Sequence, residues 1–161
     1  MSEASFTLRD ARPSDVPAII SLICDLAKYE RQPEDCHADP RLLDEHLFGE
    51  ERFAEVVLAE AGGSIVGFAL FFHNYSTWLT RPGLYLEDLF VTPACRGLGI
   101  GEALLRHLAR LAVARGCGRM EWSVLTWNEP AIGFYRRLGA VSMDGWQVYR
   151  LAGDALARLG Q

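Results

Sequence analysis

Three glycines fall within five positions in Arg96-Gly97-Leu98-Gly99-Ile100-Gly101, between an apolar run and an amphipathic stretch. Glycine lets the backbone turn sharply and approach a ligand closely, because it has no Cβ to clash. A helix that starts there aims unpaired N–H groups and the positive end of its dipole outward, which suits an anion. Arg96 adds planar, permanently charged donors that match phosphate oxygens. The chemistry is that of a phosphate or pyrophosphate cradle. Two common versions do not fit. A P-loop ends in Gly-Lys-Ser/Thr, where this chain has Gly101-Glu102-Ala103. A dinucleotide fingerprint places its third glycine one residue later, where Glu102 stands. A plain strand-to-helix turn is the structural alternative, and it needs only one or two glycines.

Glu87 stands in the otherwise apolar run Leu84-Tyr85-Leu86-Glu87-Asp88-Leu89-Phe90-Val91. Strand alternation groups Glu87 with Leu89 on one face, and Asp88 with Leu86 and Phe90 on the other. A carboxylate near pKa 4.3 is a poor direct base for an ammonium near 10. Glu87 is therefore expected to act through water or chiefly to hold a cation, with an ion pair at a strand end as the alternative.

These segments resemble a known family. Arg96 to Gly101 is similar to the Gln/Arg-x-x-Gly-x-Gly/Ala pyrophosphate loop of GNAT N-acetyltransferases. Leu86 to Val91 precedes it, and Trp127-Asn128-Glu129-Pro130-Ala131-Ile132-Gly133-Phe134-Tyr135-Arg136-Arg137 follows. Leu26-Ala27-Lys28-Tyr29-Glu30 and Ser64-Ile65-Val66-Gly67-Phe68-Ala69 match as well, so the resemblance spans roughly the whole chain. Together they look like the diamine (spermidine/spermine) acetyltransferase branch of that superfamily. The resemblance implies direct transfer of an acetyl group from acetyl-CoA to a primary amine, a diamine or polyamine, in a ternary complex. Thialysine, another amino acid or a protein amine would be the alternative acceptors, and a non-catalytic CoA-binding module is the rival of another class.

By resemblance the cofactor falls to the backbone of Leu89, Phe90 and Val91, to Arg96, Gly97, Leu98, Gly99, Ile100, Gly101 and Glu102, and to Asn128 and Ala131. Tyr135 matches the family's general acid. Its phenol, near pKa 10, can protonate a thiolate whose conjugate acid lies near 8.5. A packed aromatic beside Phe134 is the alternative. Glu87 is the matching base. Tyr29, Glu30, Glu87, Asp144 and Trp146 would line the amine site, with Asp144 standing where close relatives carry a glutamate. A homodimer is implied by the family.

These residues need elements to hold them. Phe6-Thr7-Leu8-Arg9 alternates as a first strand, and Ser14 is placed to cap a helix running to Tyr29-Glu30. A short helix holds Leu42, Leu43, His46 and Leu47. Phe53–Ala61 and Ser64–Phe72 read as strands joined by a Gly62-Gly63 hairpin turn. His73–Gly83 reads as a loop carrying Tyr75 and Trp78, and Leu84–Val91 as a strand stopped by Thr92-Pro93. A helix from Gly99 to Arg115 closes at Gly116. Arg119–Thr126 is a strand and Asn128–Arg137 a helix. A last strand follows around Trp146–Leu151, then a helical tail from Asp154. The expectation is an α/β fold: a GNAT-like, mixed but mostly antiparallel sheet flanked by helices, one domain over 1–161.

The chain has 161 residues, and composition bounds the rest. Net charge is 16 − 21 = −5, which argues against nucleic-acid binding. No apolar stretch reaches the roughly 18 residues of a membrane span, and Met1-Ser2-Glu3-Ala4-Ser5 has no leader character. Cys24, Cys36, Cys95 and Cys117 lie 12, 59 and 22 residues apart, without Cys-x-x-Cys spacing. They are expected to be reduced structural thiols in a cytoplasmic protein. The four histidines have no ligand spacing, so no metal is expected. Lys28 is the sole lysine among the 16 basic side chains.

Overall fold

A computed structural model describes residues 5–161. Met1-Ser2-Glu3-Ala4, where a leader was sought, lies outside the described residues. The chain divides into two compact units, one up to Ser123 and one from Val124, described in turn.

The first unit contains β1 (Phe6–Asp10), α1 (Val16–Tyr29), α2 (Pro40–Phe48), β2 (Glu55–Ala61), β3 (Ser64–Ser76), β4 (Arg81–Val91), α3 (Ile100–Ala114) and β5 (Arg119–Trp122). The sheet order is β1-β2-β3-β4-β5. The first three pairings are antiparallel, and β4–β5 is parallel. Parallel neighbours need a crossover, and α3 supplies it. The sheet is mixed and mostly antiparallel, as the sequence indicates.

Alternation along the strands gives the sheet two apolar faces. Val56, Leu58, Phe68 and Phe90 pack with Ile19, Leu22 and Leu26 of α1 and Leu47 of α2. Val57, Ala59, Ala69, Phe71, Leu84 and Leu86 are buried on the other face, and α3 packs over β2 to β5 with Leu104, Leu105 and Leu108 inward. Each fully buried side chain of this size contributes about 1.5–3 kcal/mol. At the far end of α3, Arg115 grips both carboxylate oxygens of Glu55 (2.5 and 2.8 Å) and lies over the Phe71 ring.

α3 ends in a Schellman turn, with the Gly116 amide on the Val113 carbonyl and the Cys117 amide on that of Ala112. α1 ends the same way, the Arg31 amide donating to Lys28 and the Gln32 amide to Ala27. There the left-handed position is held by Arg31 at φ 63°, a conformation that costs a side chain about 1 kcal/mol or more. In the last turn of α1 Lys28 Nζ sits 3.0 Å from Asp25 Oδ1.

Several boundaries differ from the sequence reading. Ser14 caps nothing: it lies inside a 3-10 turn, Pro13–Asp15. Buried Asp15 anchors that turn instead, accepting the Arg12 amide at 2.8 Å and two Arg9 N–H groups at 2.7 and 3.0 Å. The Arg9 guanidinium holds the Asp15 carboxyl below its ordinary pKa. Most of the expected His73–Gly83 loop is hairpin: Asn74 pairs with Gly83, Tyr75 with Pro82 and Ser76 with Arg81. Its polar residues read as loop because their partners are distant or turn-local. Asn74 Nδ2 donates to Glu121 Oε1 at 3.2 Å, and Ser76 Oγ accepts the Leu79 amide. β5 stops at Trp122 rather than Thr126.

The second unit holds α4 (Glu129–Arg137) and α5 (Gly153–Leu159). The strand expected around Trp146–Leu151 does not form. Alternation alone cannot supply the partner ladder that a strand requires. Val148 and Tyr149 are 86% and 90% exposed.

Candidate active site

The chain leaves β4 at Thr92, makes a 3-10 turn over Pro93–Cys95, and enters α3 through the glycines. Gly97 and Gly99 have φ of 80° and 78°, so both hold left-handed backbone that side chains disfavour. The first helical bond runs from the Ala103 amide to the Gly99 carbonyl at 2.9 Å. The amides of Ile100, Gly101 and Glu102 therefore have no acceptor within the helix and point out of its positive end. Glu102 turns its carboxylate along the helix onto Arg106 Nε at 2.7 Å, an i,i+4 pair. Its backbone is what it offers to an anion.

The outer half of β4 is the second part. β5 pairs only with Gly83 to Leu86, so Glu87 to Val91 have no strand partner on that side. The Phe90 carbonyl lies against Gly67 of β3, and the Thr92 amide donates to Val66 of the same strand. Alternation then turns the N–H and C=O of Leu89 and Val91 toward the open side. Of the three residues expected to offer backbone, Leu89 and Val91 have theirs on the open side, while Phe90 faces β3 with its backbone and gives its ring to the core.

A bulge sets the side chains of this segment. Leu70 pairs with Asp88 and the next residue, Phe71, with Leu86, leaving Glu87 as the extra residue. Leu86 and Asp88 consequently lie on opposite faces, not on one as strict alternation predicts. Asp88 shares a face with Phe90, the face that α1 covers, and Glu87 is exposed.

Tyr29 and Glu30, at the end of α1, come to the same place. The Arg96 guanidinium lies 4.5 Å from the Tyr29 ring centre and 5.5 Å from that of Phe90, while its Nε donates to the Val91 carbonyl at 3.0 Å. Arg96 thus bridges the open edge of β4 and the end of α1, with its remaining N–H groups on the Nη atoms. Burial raises the Glu30 carboxyl above its ordinary pKa. Asp88 is pushed up to about 6, first by burial, then by the charges of Glu87 and Glu30. Sequence reasoning missed Asp88 as a site residue. The signal was there, an acid on the core-facing side of an apolar strand, but the bulge that turns it toward α1 was not legible.

Residues 19–140 match the family model described as Acetyltransferase (GNAT) family. The chain belongs to the GNAT family of acetyltransferases. A thialysine N-epsilon-acetyltransferase of Sus scrofa is 34% identical over 97% of this chain and 98% of its own length. A human spermidine/spermine N(1)-acetyltransferase-like protein 1 is 33% identical over 94% of this chain, which spans 23% of that protein. Among solved structures, an integron cassette protein from the mobile metagenome of V. cholerae superposes with a TM-score of 0.82 at 27% identity, covering 98% of both chains.

GNAT enzymes take acetyl-CoA as co-substrate, and the donor set fits it. Outward amides at the start of α3 suit a pyrophosphate, and the open edge of β4 suits an extended amide chain. At Gly101 an added Cβ would meet only Val91 Cγ2, at 4.0 Å. Gly101→Ala should therefore melt within about 2 °C of the wild type and keep its acetyl-CoA KM within about threefold. Gly99→Ala forces a side chain into φ 78° and should raise that KM about tenfold. Equal values for the two variants would show that the loop conformation does not govern cofactor binding.

The remaining expected residues of the GNAT chain lie in the second unit. Asn128 is buried and caps α4, its Oδ1 accepting the Ala131 amide at 3.4 Å. The structure thus shows it as a helix cap. Tyr135 is half-buried on α4, its ring tilted against Phe134 with centres 5.3 Å apart. Ser142 donates to Asp144, and the Trp146 amide to Met143. Asp144 and Trp146 are both exposed.

Proposed function

We propose that this GNAT acetyltransferase acetylates a primary amine of a small diamine-like cation, held by Glu30, Glu87 and Asp88. The observation that carries this reading is the position of Asp88, near both Glu87 and Glu30: burial, then their charges, raise it to about 6. A carboxyl crowded by two others gains from a cation beside it.

Acetyl-CoA supplies the activated acyl group as a thioester. Amides of Ile100, Gly101 and Glu102 hold its pyrophosphate, with Arg96 adding charge, and the Leu89 and Val91 backbone orients its amide arm. A β4 amide on the open side donates to the thioester carbonyl as charge develops there. Glu87, exposed at the bulge, takes the amine proton through water. Tyr135 hands its phenolic proton to the departing sulfur. The chain is proposed to work as one domain over 1–161, in a cytoplasmic homodimer. The homodimer rests on family resemblance and the cytoplasmic location on the expectation of reduced thiols; no helix among the described residues is long and apolar enough to cross a membrane.

A second reading has support of its own. The thialysine enzyme matches nearly end to end, which favours an amino-acid side-chain amine. A panel of diamines, polyamines and thialysine, each with acetyl-CoA, decides by kcat/KM. Diamines ahead of thialysine support the proposal, and the reverse order replaces it. No turnover on any amine despite CoA binding would leave only a binding module.

A further inference from the structure

We propose that Cys24 and Cys36 are an oxidation site: a disulfide between them clamps the end of α1 that carries Glu30. The two sulfurs lie 3.6 Å apart, although twelve residues separate them in sequence. A disulfide needs about 2.05 Å, so the pair must close by about 1.5 Å. Both thiols are half-buried, free and in contact, so the closure required is short.

The chain between them makes the bond consequential. It holds the last turn of α1, then Tyr29 and Glu30, the left-handed Arg31, and the 3-10 turn Pro33–Asp35 that ends at Cys36. Arg31 already sits in a disfavoured conformation, so this connection yields first when its ends are drawn together. Pulling the turn toward α1 shifts Glu30 away from Glu87 and Asp88. The Cys36 sulfur and burial hold the Cys24 thiol above its ordinary pKa, so little of it is thiolate and the pair answers slowly to oxidant.

The step balances with a peroxide. One thiolate attacks a peroxide oxygen, the O–O bond breaks, and a sulfenic acid forms as hydroxide leaves. The second sulfur then attacks the sulfenic sulfur, the S–S bond forms, and a second hydroxide leaves. The two thiol protons convert both hydroxides to water. The sulfurs give up two electrons and the peroxide takes them.

The test uses the full chain, reduced, desalted and treated with hydrogen peroxide. Trypsin cuts after Lys28 and Arg31, which separates the cysteines, so the bond appears as Asp10–Lys28 linked to Gln32–Arg41. Free thiols should fall from four to two with no cross-linked dimer. Amide exchange over residues 25–36 should slow, and the amine KM should rise at least about threefold with the acetyl-CoA KM within about twofold. Cys36→Ser should abolish the linked peptides and the KM change together. The KM arm rests on the acceptor site proposed above, while peptide linkage and amide exchange do not. If no amine is turned over, those two readouts still decide. The proposal is overturned by peroxide leaving both thiols free, by linkage that leaves exchange unaltered, or by a KM change that persists in Cys36→Ser.

Discussion

Replacing Tyr135 with phenylalanine should lower kcat about 100-fold, the lower end of what a positioned proton donor, the role proposed for it, contributes. The change removes one oxygen from a half-buried ring on α4 and keeps the ring packed against Phe134, so the fold and the acetyl-CoA Kd should hold. Without the phenol, water must protonate a thiolate whose conjugate acid lies near 8.5. The penalty should shrink for acetyl thioesters of more acidic thiols, which depart more readily as anions. Steady-state kinetics with two such donors check both points. A kcat equal to that of the wild type removes Tyr135 from the chemistry.

Asp88→Asn should stabilise the free protein while weakening its hold on the amine. Asp88 titrates near 6 in the fold against an ordinary 3.8. Between those values the folded chain keeps a proton that the unfolded chain has lost, so stability falls as pH rises through the window. Above it the ionised group costs up to about 3 kcal/mol, at about 1.4 kcal/mol per pKa unit. Asparagine keeps the shape without the charge and should melt about 5 °C higher at pH 7.5. The gain should vanish below about pH 4, where both forms are neutral. Asp15 and Glu55, held low by Arg9 and Arg115, lose their stabilisation as pH falls in both proteins. The difference between wild type and variant therefore isolates Asp88. The amine KM should rise about tenfold in the variant, and in the wild type it should climb as pH falls through 6. Melting curves that coincide at pH 7.5 would show that no crowded charge sits there.

The glycine turn, its helix and the β2–β3 hairpin were legible because each is a local event. The backbone at Gly97 and Gly99 is left-handed because glycine permits it, and residues at 3.6 spacing put Leu104 and Leu108 inward. What failed depended on partners distant in sequence. Asn74 and Ser76 read as loop residues until β4 pairs with β3. Trp146–Leu151 alternates as a strand should, yet forms none. The bulge at Glu87 is the most instructive miss, since one extra residue reverses which side chains share a face. Glu87 was found by its type and Asp88 was lost by its register. Arg96 was placed in the right loop for its charge, but its stacking on Tyr29 needs α1, which lies far earlier in the chain.

The ion pair that closes α1 bears on how this protein survives its own co-substrate. A thioester acylates any unprotonated amine it meets, whereas a guanidinium, with a pKa above 12, is no nucleophile at neutral pH. Fifteen of the sixteen basic side chains are arginines, which leaves Lys28 as the single side-chain amine open to self-modification. Asp25 raises its pKa, which favours the unreactive ammonium further.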